Sequence, residues 1–260
     1  MTKIFVSSSD LVRQTNQWLE PSRFKDYCPN GLQVQGCDEI YKLVTGVTAS
    51  LDLIQAAIDV QANAILVHHG LFWRGQDGTL TGWMRARVAK LINENINLIA
   101  YHLPLDAHPV YGNNAQLAIK LGLVTRSTFG EQNLGHLGEV DPTSSGAVLF
   151  CVDDLEKRIR EALGREPIVI CSDRRRALRK IAWCTGGAQS WFEDSIKAGA
   201  DAFITGEISE PQAHLARETG VAFLACGHHA SERYGVQALG QALAQAYKID
   251  YQFIDIDNPA

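Results

Sequence analysis

Eight histidines punctuate the chain, and six of them fall where they could share one task. His68 and His69 stand side by side in "ILVHHGLFW", His102 and His108 share "YHLPLDAHP", and His228 and His229 share "GHHASER"; His136 and His214 lie elsewhere. Two carboxylates accompany them, Asp106 and Glu232. Imidazole nitrogen together with carboxylate oxygen at several loop tips is a donor set for first-row divalent cations. Taken singly, these residues have structural alternatives. A lone His102 or His108 is more often a hydrogen-bonded loop residue than a ligand, and Glu232, near the start of the last long helix, would also gain from the helix dipole. The adjacent pair is harder to explain that way. Neighbouring side chains of an extended strand point to opposite faces, so a strand continued through His68 and His69 would bury at least one imidazole at a cost. Gly70 is expected to turn the chain, so that both rings flank one cavity and each holds a separate ion.

The elements that must position these residues follow from hydrophobic period. Short β-branched runs alternate with helical patterns of ten or more residues, as in βα units around a parallel or mixed sheet. The pattern predicts helices over 9–19, 51–61, 82–94, 113–121, 152–163, 189–198, 209–218 and 231–246. It predicts strands near 32–35, 42–47, 64–68, 97–101, 167–171, 180–184, 201–205, 221–226 and 250–255. The six grouped histidines then sit just past strand carboxyl ends, the edge of an open α/β sheet where ligands bind. The segment 42–70 lies over 180–208 without a gap, an offset of 138 residues, matching strand, Gly-bearing turn, helix and strand. Duplication would give an α/β fold of two similar lobes related by a pseudo-dyad, with mixed sheets flanked by helices and one shared cleft. The alternative is that all βα units look alike. The lobes are expected at 1–125 and 126–260, with the weakly patterned 125–146 as the joint.

Bulk properties narrow the partners. With 260 residues, 46% hydrophobic and 20% charged, the chain can bury a sizeable core. A formal net charge of -5 provides no overall positive field for nucleic acid, so a small-molecule partner fits better. No apolar run approaches bilayer length, and "MTKIFVSSSDLVRQ" has too short an apolar core for a signal peptide, which makes a cytoplasmic location the expectation. Six cysteines without a CxxC read as reduced, mostly buried thiols. "TGG" at 185–187 could cradle phosphate or serve tight packing. The run "DRRRALRK" (173–180) could clamp a triphosphate or DNA, but beside an acidic whole it reads better as a solvated edge. "NGLQVQG" is assigned to packing or subunit contact, and Cys226 is expected to point into the sheet.

Taken together, "DYCPNGLQVQG", "VTGVTAS", "VHHGLFW", "HLPLDAHPVYGNNAQLA", "WCTGGAQS", "DAFITGEISE" and "GHHASERYGV" resemble the YbgI or Nif-three-like family, whose bacterial members are labelled GTP cyclohydrolase 1 type 2 homologues. The resemblance runs through nearly the whole chain in order. It implies a two-lobed α/β fold, a toroidal homohexamer and a dinuclear centre of two divalent ions per subunit, with Fe, Zn, Mn or Co all compatible with the donors. Carried over by motif, it assigns His69, Asp106 and Glu232 to one ion and His68, His228 and Glu232 to the other. Open positions on the ions would leave room for water acidified between cations roughly 3.5–4 Å apart. The implied reaction is hydrolysis of a nucleotide or related heterocycle, with GTP ring opening at C8 and release of formate as the named instance. His102 is then the candidate catalytic proton shuttle, or else a hydrogen-bonding partner behind the ligands, with His229 as its substitute, and Glu232 the bridging carboxylate. Phosphoester cleavage, and a non-catalytic ring that binds metal or scaffolds partners, are the competing expectations.

Overall fold

Three largely apolar runs, 43–47 with Thr45 inside it, 64–67 and 98–100, are buried at every position. Such runs suit a parallel sheet covered on both faces, where no residue of a strand meets water. The computed structural model, which describes residues 4–141, 143 and 150–260, shows how both faces are covered. Its described chain forms two compact units. One takes the chain as far as Gly112 and again over Gly235–Asp257; the other comprises Asn113–Tyr234 and Asn258–Ala260.

In the first unit the strand order is Asp250–Phe253, Lys42–Thr48, Ala64–His69, Asn97–Ala100 and Gly31–Val34, parallel except for the last. Side-chain alternation divides the sheet. Val44, Ile65, Val67, Leu98 and Ala100 pack on one face with Leu53, Ile54, Val88 and Leu91 of the helices Leu51–Asp59 and Gly82–Asn93. Leu43, Ala64, Leu66, Ile99 and Tyr101 pack on the other with Leu11, Val236, Leu239 and Leu243. The last three lie on the helix Arg233–Tyr247, so the apolar stripe of the late helix is what returns the chain to the first sheet. Ser50 starts Leu51–Asp59 by accepting the Leu53 N–H at 3.1 Å, the ordinary N-cap device.

The second unit repeats the plan. Ile181–Trp183, Ala202–Thr205 and Ala222–Ala225 are parallel, and Ile168–Ile170 pairs antiparallel with the third of them, as Gly31–Val34 does in the first sheet. Trp183, Ile204 and Leu224 pack with helices Asn113–Leu121 and Val152–Leu163 on one face, while Phe203 and Phe223 meet Phe192 on the other. The molecule is therefore a mixed α/β protein with two similar, helix-flanked mixed sheets. The 138-residue offset places Ala64–His69 over 202–207, in agreement with the paired strands.

Several elements differ from the sequence reading. The stretch 125–146, expected as a joint, holds instead an antiparallel hairpin: Leu123–Phe129 pairs with Gly135–Val140, which joins Ile181–Trp183. Residues 142 and 144–146 of that stretch lie outside the described ones. The hairpin escaped notice because its outer strand is exposed at 125–128 and its register shifts between Thr125 and Ser127, so neither apolar alternation nor a constant period marks it. A single division at residue 125 runs through that outer strand, whereas the observed units are discontinuous in sequence. The helix expected at 231–246 is two, His228–Ser231 and Arg233–Tyr247, with Glu232 between them. The short helix Leu103–Ala107, with Pro104 in its first turn, was not anticipated. Helix 189–198 begins as a 3-10 turn, Gln189–Trp191.

Candidate metal centre

The strand Ala64–His69 carries both histidines inside it. Its pairing with Asn97–Ala100 stops at Val67, but pairing with the strand on its other side continues to Thr48 opposite His69. Released on one side only, the strand end brings the two rings to 4.5 Å between centroids. The expected turn at Gly70 is thus not what frees them. Gly70 has a different use: a Cβ there would collide with the amide of Gln33, whose Oε1 accepts the Leu71 N–H at 2.8 Å. "NGLQVQG" therefore braces the strand end from the sheet edge.

His68 is fully buried, and burying an imidazole needs partners. Its Nδ1 donates to the Tyr101 carbonyl at 3.0 Å, and its Nε2 lies 3.6 Å from Asp106 Oδ1. The aspartate thus stands beside the first histidine of the pair. Asp106 reaches this position from the buried face of helix Leu103–Ala107. His69 Nδ1 is 3.2 Å from the Thr48 hydroxyl. His102 caps the start of the Asp106 helix, and its Nδ1 donates to Asp26 Oδ1 at 2.7 Å. Asp26 is itself fixed by the N–H groups of Tyr27 and Leu103 and by the Asn30 amide, at 2.6, 3.0 and 2.8 Å. Burial alone would raise the Asp26 pKa, but the His102 contact and these hydrogen bonds hold it below the ordinary carboxylate value. Ligand atoms of His68, His69 and His102 all lie within 4.8 Å of one another. Cys28 shares such a group with Asp26 and His102, and burial, then Asp26 and Asp106, push its thiol up to about 12.

The second unit carries its donors at the equivalent sheet edge. His228 Nδ1 donates to Glu207 Oε1 at 2.6 Å, and Nε2 lies 3.2 Å from Glu232 Oε2. Glu232 is buried, and room for it comes from Gly186, where a Cβ would strike the Glu232 carboxylate and approach His228 Nε2 to 3.2 Å. Burial works to lower the His228 pKa; Glu232 and then Glu207 override it and lift it to about 9. Two carboxylates around one imidazole attract positive charge, a proton when no cation competes. The 138-residue offset puts Glu207 where His69 stands in the first unit, and both units place a histidine four residues before a carboxylate, His102 before Asp106 and His228 before Glu232.

The remaining candidates find other roles. His108 Nδ1 accepts the Val110 and Tyr111 N–H groups at 3.2 and 2.9 Å, so it shapes a turn. Among the described residues neither His108 nor His229 belongs to a group of donors spaced for a cation. His136 is buried beside Trp183, and His214 is exposed against Glu210. Cys226 points into the core, its thiol on the Thr205 carbonyl at 3.1 Å. The "TGG" turn spends N–H groups internally, Thr185 on the Asn114 side-chain oxygen and Gly186 on the Ser231 hydroxyl, at 2.9 and 3.1 Å. In the basic run, Arg174 pairs with Asp153 and Glu156, and Arg176 with Asp201, which accords with a solvated edge. Asp26 and Glu207, which hold the rings of His102 and His228, have no place in the sequence reading of the site. Both stand in quoted motifs, "DYCPNG" and "ITGEISE", but a carboxylate that serves a distant histidine has no spacing signal.

The donor chemistry fits divalent metal. Four imidazoles at strand carboxyl ends each engage Nδ1 with a protein oxygen. Where that oxygen is a carbonyl or carboxylate it fixes the Nδ1–H tautomer and assigns Nε2 as the ligating nitrogen, the arrangement that orients metal-binding histidines. No helix of the described residues is long and apolar enough to cross a membrane.

Comparison with known proteins agrees with the resemblance in extent. A "GTP cyclohydrolase 1 type 2 homolog" of Pseudomonas aeruginosa is 45% identical over 98% of this chain and 99% of its own. One of Neisseria meningitidis serogroup B is 47% identical over 96% and 98%. Among solved structures, a protein named ybgI, described as of unknown function, superposes with a TM-score of 0.92 at 42% identity, covering 98% of this chain and all of its own. TTHA1606 of Thermus thermophilus gives a TM-score of 0.88 at 28% identity over 98% of this chain and 100% of its own. The model of the Duf34/NIF3 (NGG1p interacting factor 3) family matches residues 6–259, and the chain belongs to that family.

Proposed function

We propose that the protein is a dinuclear-metal-dependent hydrolase of a nucleotide or related heterocycle. The observation that carries this reading is that His68 and His228, each with Nδ1 donating to a carbonyl or carboxylate, turn Nε2 toward a buried carboxylate, Asp106 and Glu232, at 3.6 and 3.2 Å. Nδ1–H fixed in this way leaves Nε2 as the ligating nitrogen, with a carboxylate oxygen beside it. The proposed ligands are His68, His69 and Asp106 of the first unit with His228 and Glu232 of the second. Asp106 goes with His68, and Glu232 is the bridging carboxylate. Fe, Zn, Mn and Co all suit these donors. Two such ions supply Lewis acidity and lower the pKa of coordinated water toward neutrality.

The chain's own residues do the rest. The Tyr101 carbonyl and Thr48 hydroxyl hold the paired imidazoles, and Glu207 holds His228. His102, fixed by Asp26, is the group that moves a proton at Nε2, the role proposed for it as catalytic residue. The curated relatives carry a GTP cyclohydrolase name, which makes GTP the first substrate to try, with the water-attacked carbon leaving as formate. A cytoplasmic homohexameric ring acting on a small molecule, without nucleic acid or membrane, completes the proposal.

The test is incubation of metal-loaded protein with a nucleotide panel, assayed for formate and for phosphate. Formate release supports ring opening. Phosphate release moves the assignment to a phosphoesterase, and no turnover with any of the four metals moves it to a metal-binding scaffold.

A further inference from the structure

Beside the imidazoles of the first unit the chain places three residues that the metal chemistry does not use. Trp73 stands edge-on to His102, with ring centroids 5.1 Å apart at 85°, and 5.9 Å from His69. Tyr27, half exposed, also meets His102 near-perpendicularly at 6.4 Å. Arg74 lays its guanidinium over the Tyr27 ring at 5.8 Å and donates from Nη2 to the Asp26 carbonyl at 2.8 Å. A backbone bond from the Arg74 N–H to the Tyr27 carbonyl, 2.7 Å, ties the two segments together.

We infer that Trp73 and Arg74, held by Tyr27, form the wall of a ligand site beside His69 and His102 that takes a planar heteroaromatic ring bearing an anionic group. Trp73 is only half-buried beside these imidazoles, so part of its ring is open to a stacked base. A base stacked there would lie alongside the imidazole group, bringing its ring atoms, rather than its phosphates, toward the proposed cations. Arg74 is exposed, and its guanidinium remains the anchor for the charged substituent, since a planar fork matches phosphate oxygens. Cation–π contact with Tyr27 limits the freedom that binding would otherwise have to freeze. The inference deepens the hydrolase reading by choosing its heterocycle form, and it rests on that reading for chemistry, though not for binding.

The experiment is equilibrium dialysis of guanosine, GTP and tripolyphosphate against the full, metal-loaded chain and its Trp73→Ala, Trp73→Phe and Arg74→Ala variants, with metal content, formate and phosphate read in the same samples. Stacking is worth about 1–3 kcal/mol per base, so Trp73→Ala should weaken guanosine and GTP roughly 5- to 150-fold. Trp73→Phe should restore most of that, with tripolyphosphate and metal content unchanged. Arg74→Ala should weaken GTP while leaving guanosine as in the wild type. Guanosine binding that ignores Trp73→Ala, or no binding of guanosine and GTP by the wild type, overturns the wall. Binding that depends on Trp73 without formate or phosphate release leaves the wall standing and removes the hydrolase. Product release that survives Trp73→Ala unchanged does the reverse.

Discussion

His102 Nδ1 lies 2.7 Å from Asp26 Oδ1, and the same carboxylate takes the Leu103 N–H one residue beyond the histidine. Asp26 thus fixes both the ring and the start of the helix that carries Asp106. Asp26→Asn keeps the shape but removes the charge that makes Nδ1 a donor. The expected result is a folded protein with near-normal metal content and activity reduced roughly 10- to 100-fold, the usual scale for such partners. Steady-state kinetics alongside elemental analysis check it.

Glu232 is buried with His228 Nε2 at 3.2 Å, and the proposal gives it both cations. Glu232→Gln, nearly identical in volume, should leave the far-UV circular dichroism unchanged while metal occupancy falls sharply. Unchanged occupancy would remove Glu232 from the bridge.

Gly186 tests the same carboxylate from its other side. Its φ of +69° is one that L side chains adopt at a cost of about 1–2 kcal/mol, and its missing Cβ leaves the space Glu232 fills. Gly186→Ala should lower both the unfolding midpoint and metal affinity; thermal melts with and without added Zn separate the two losses.

What the sequence made legible follows the strength of each local signal. Uninterrupted apolar runs marked the parallel strands because both sheet faces are covered, and "HHG" together with "PLDAH" and "GHHASE" marked donors because their spacing is local. Asp26 was invisible because it meets His102 across 76 residues. Glu207 aligns with His69 at the 138-residue offset, but a glutamate at that position gives no sign that it serves His228, 21 residues on. The pairing of Asp106 with His68 depends on the short helix Leu103–Ala107, whose Pro104 and five-residue length give no periodic pattern.

His136 offers a pH test away from the metal. Buried beside Trp183, with Nδ1 3.0 Å from the Thr125 hydroxyl, it is driven by burial from 6.5 to about 4. A folded pKa below the unfolded one means that the unfolded chain binds the proton first. Stability is therefore fully present above about pH 6.5 and lost as pH falls toward about 4. The loss amounts to about 3 kcal/mol at 1.36 kcal/mol per pKa unit. Urea titrations across that range should show this slope, and His136→Gln should flatten it.

The hydrolase reading depends on the metal centre, and the most direct measurement is the metal-to-chain ratio of protein purified without chelator or affinity-resin metal and then titrated with Fe, Zn, Mn and Co. Saturation at two ions per chain is expected, with at least one lost in Asp106→Asn. A wild-type chain that takes up none of the four metals tightly, or an Asp106→Asn chain that still holds two, would contradict it.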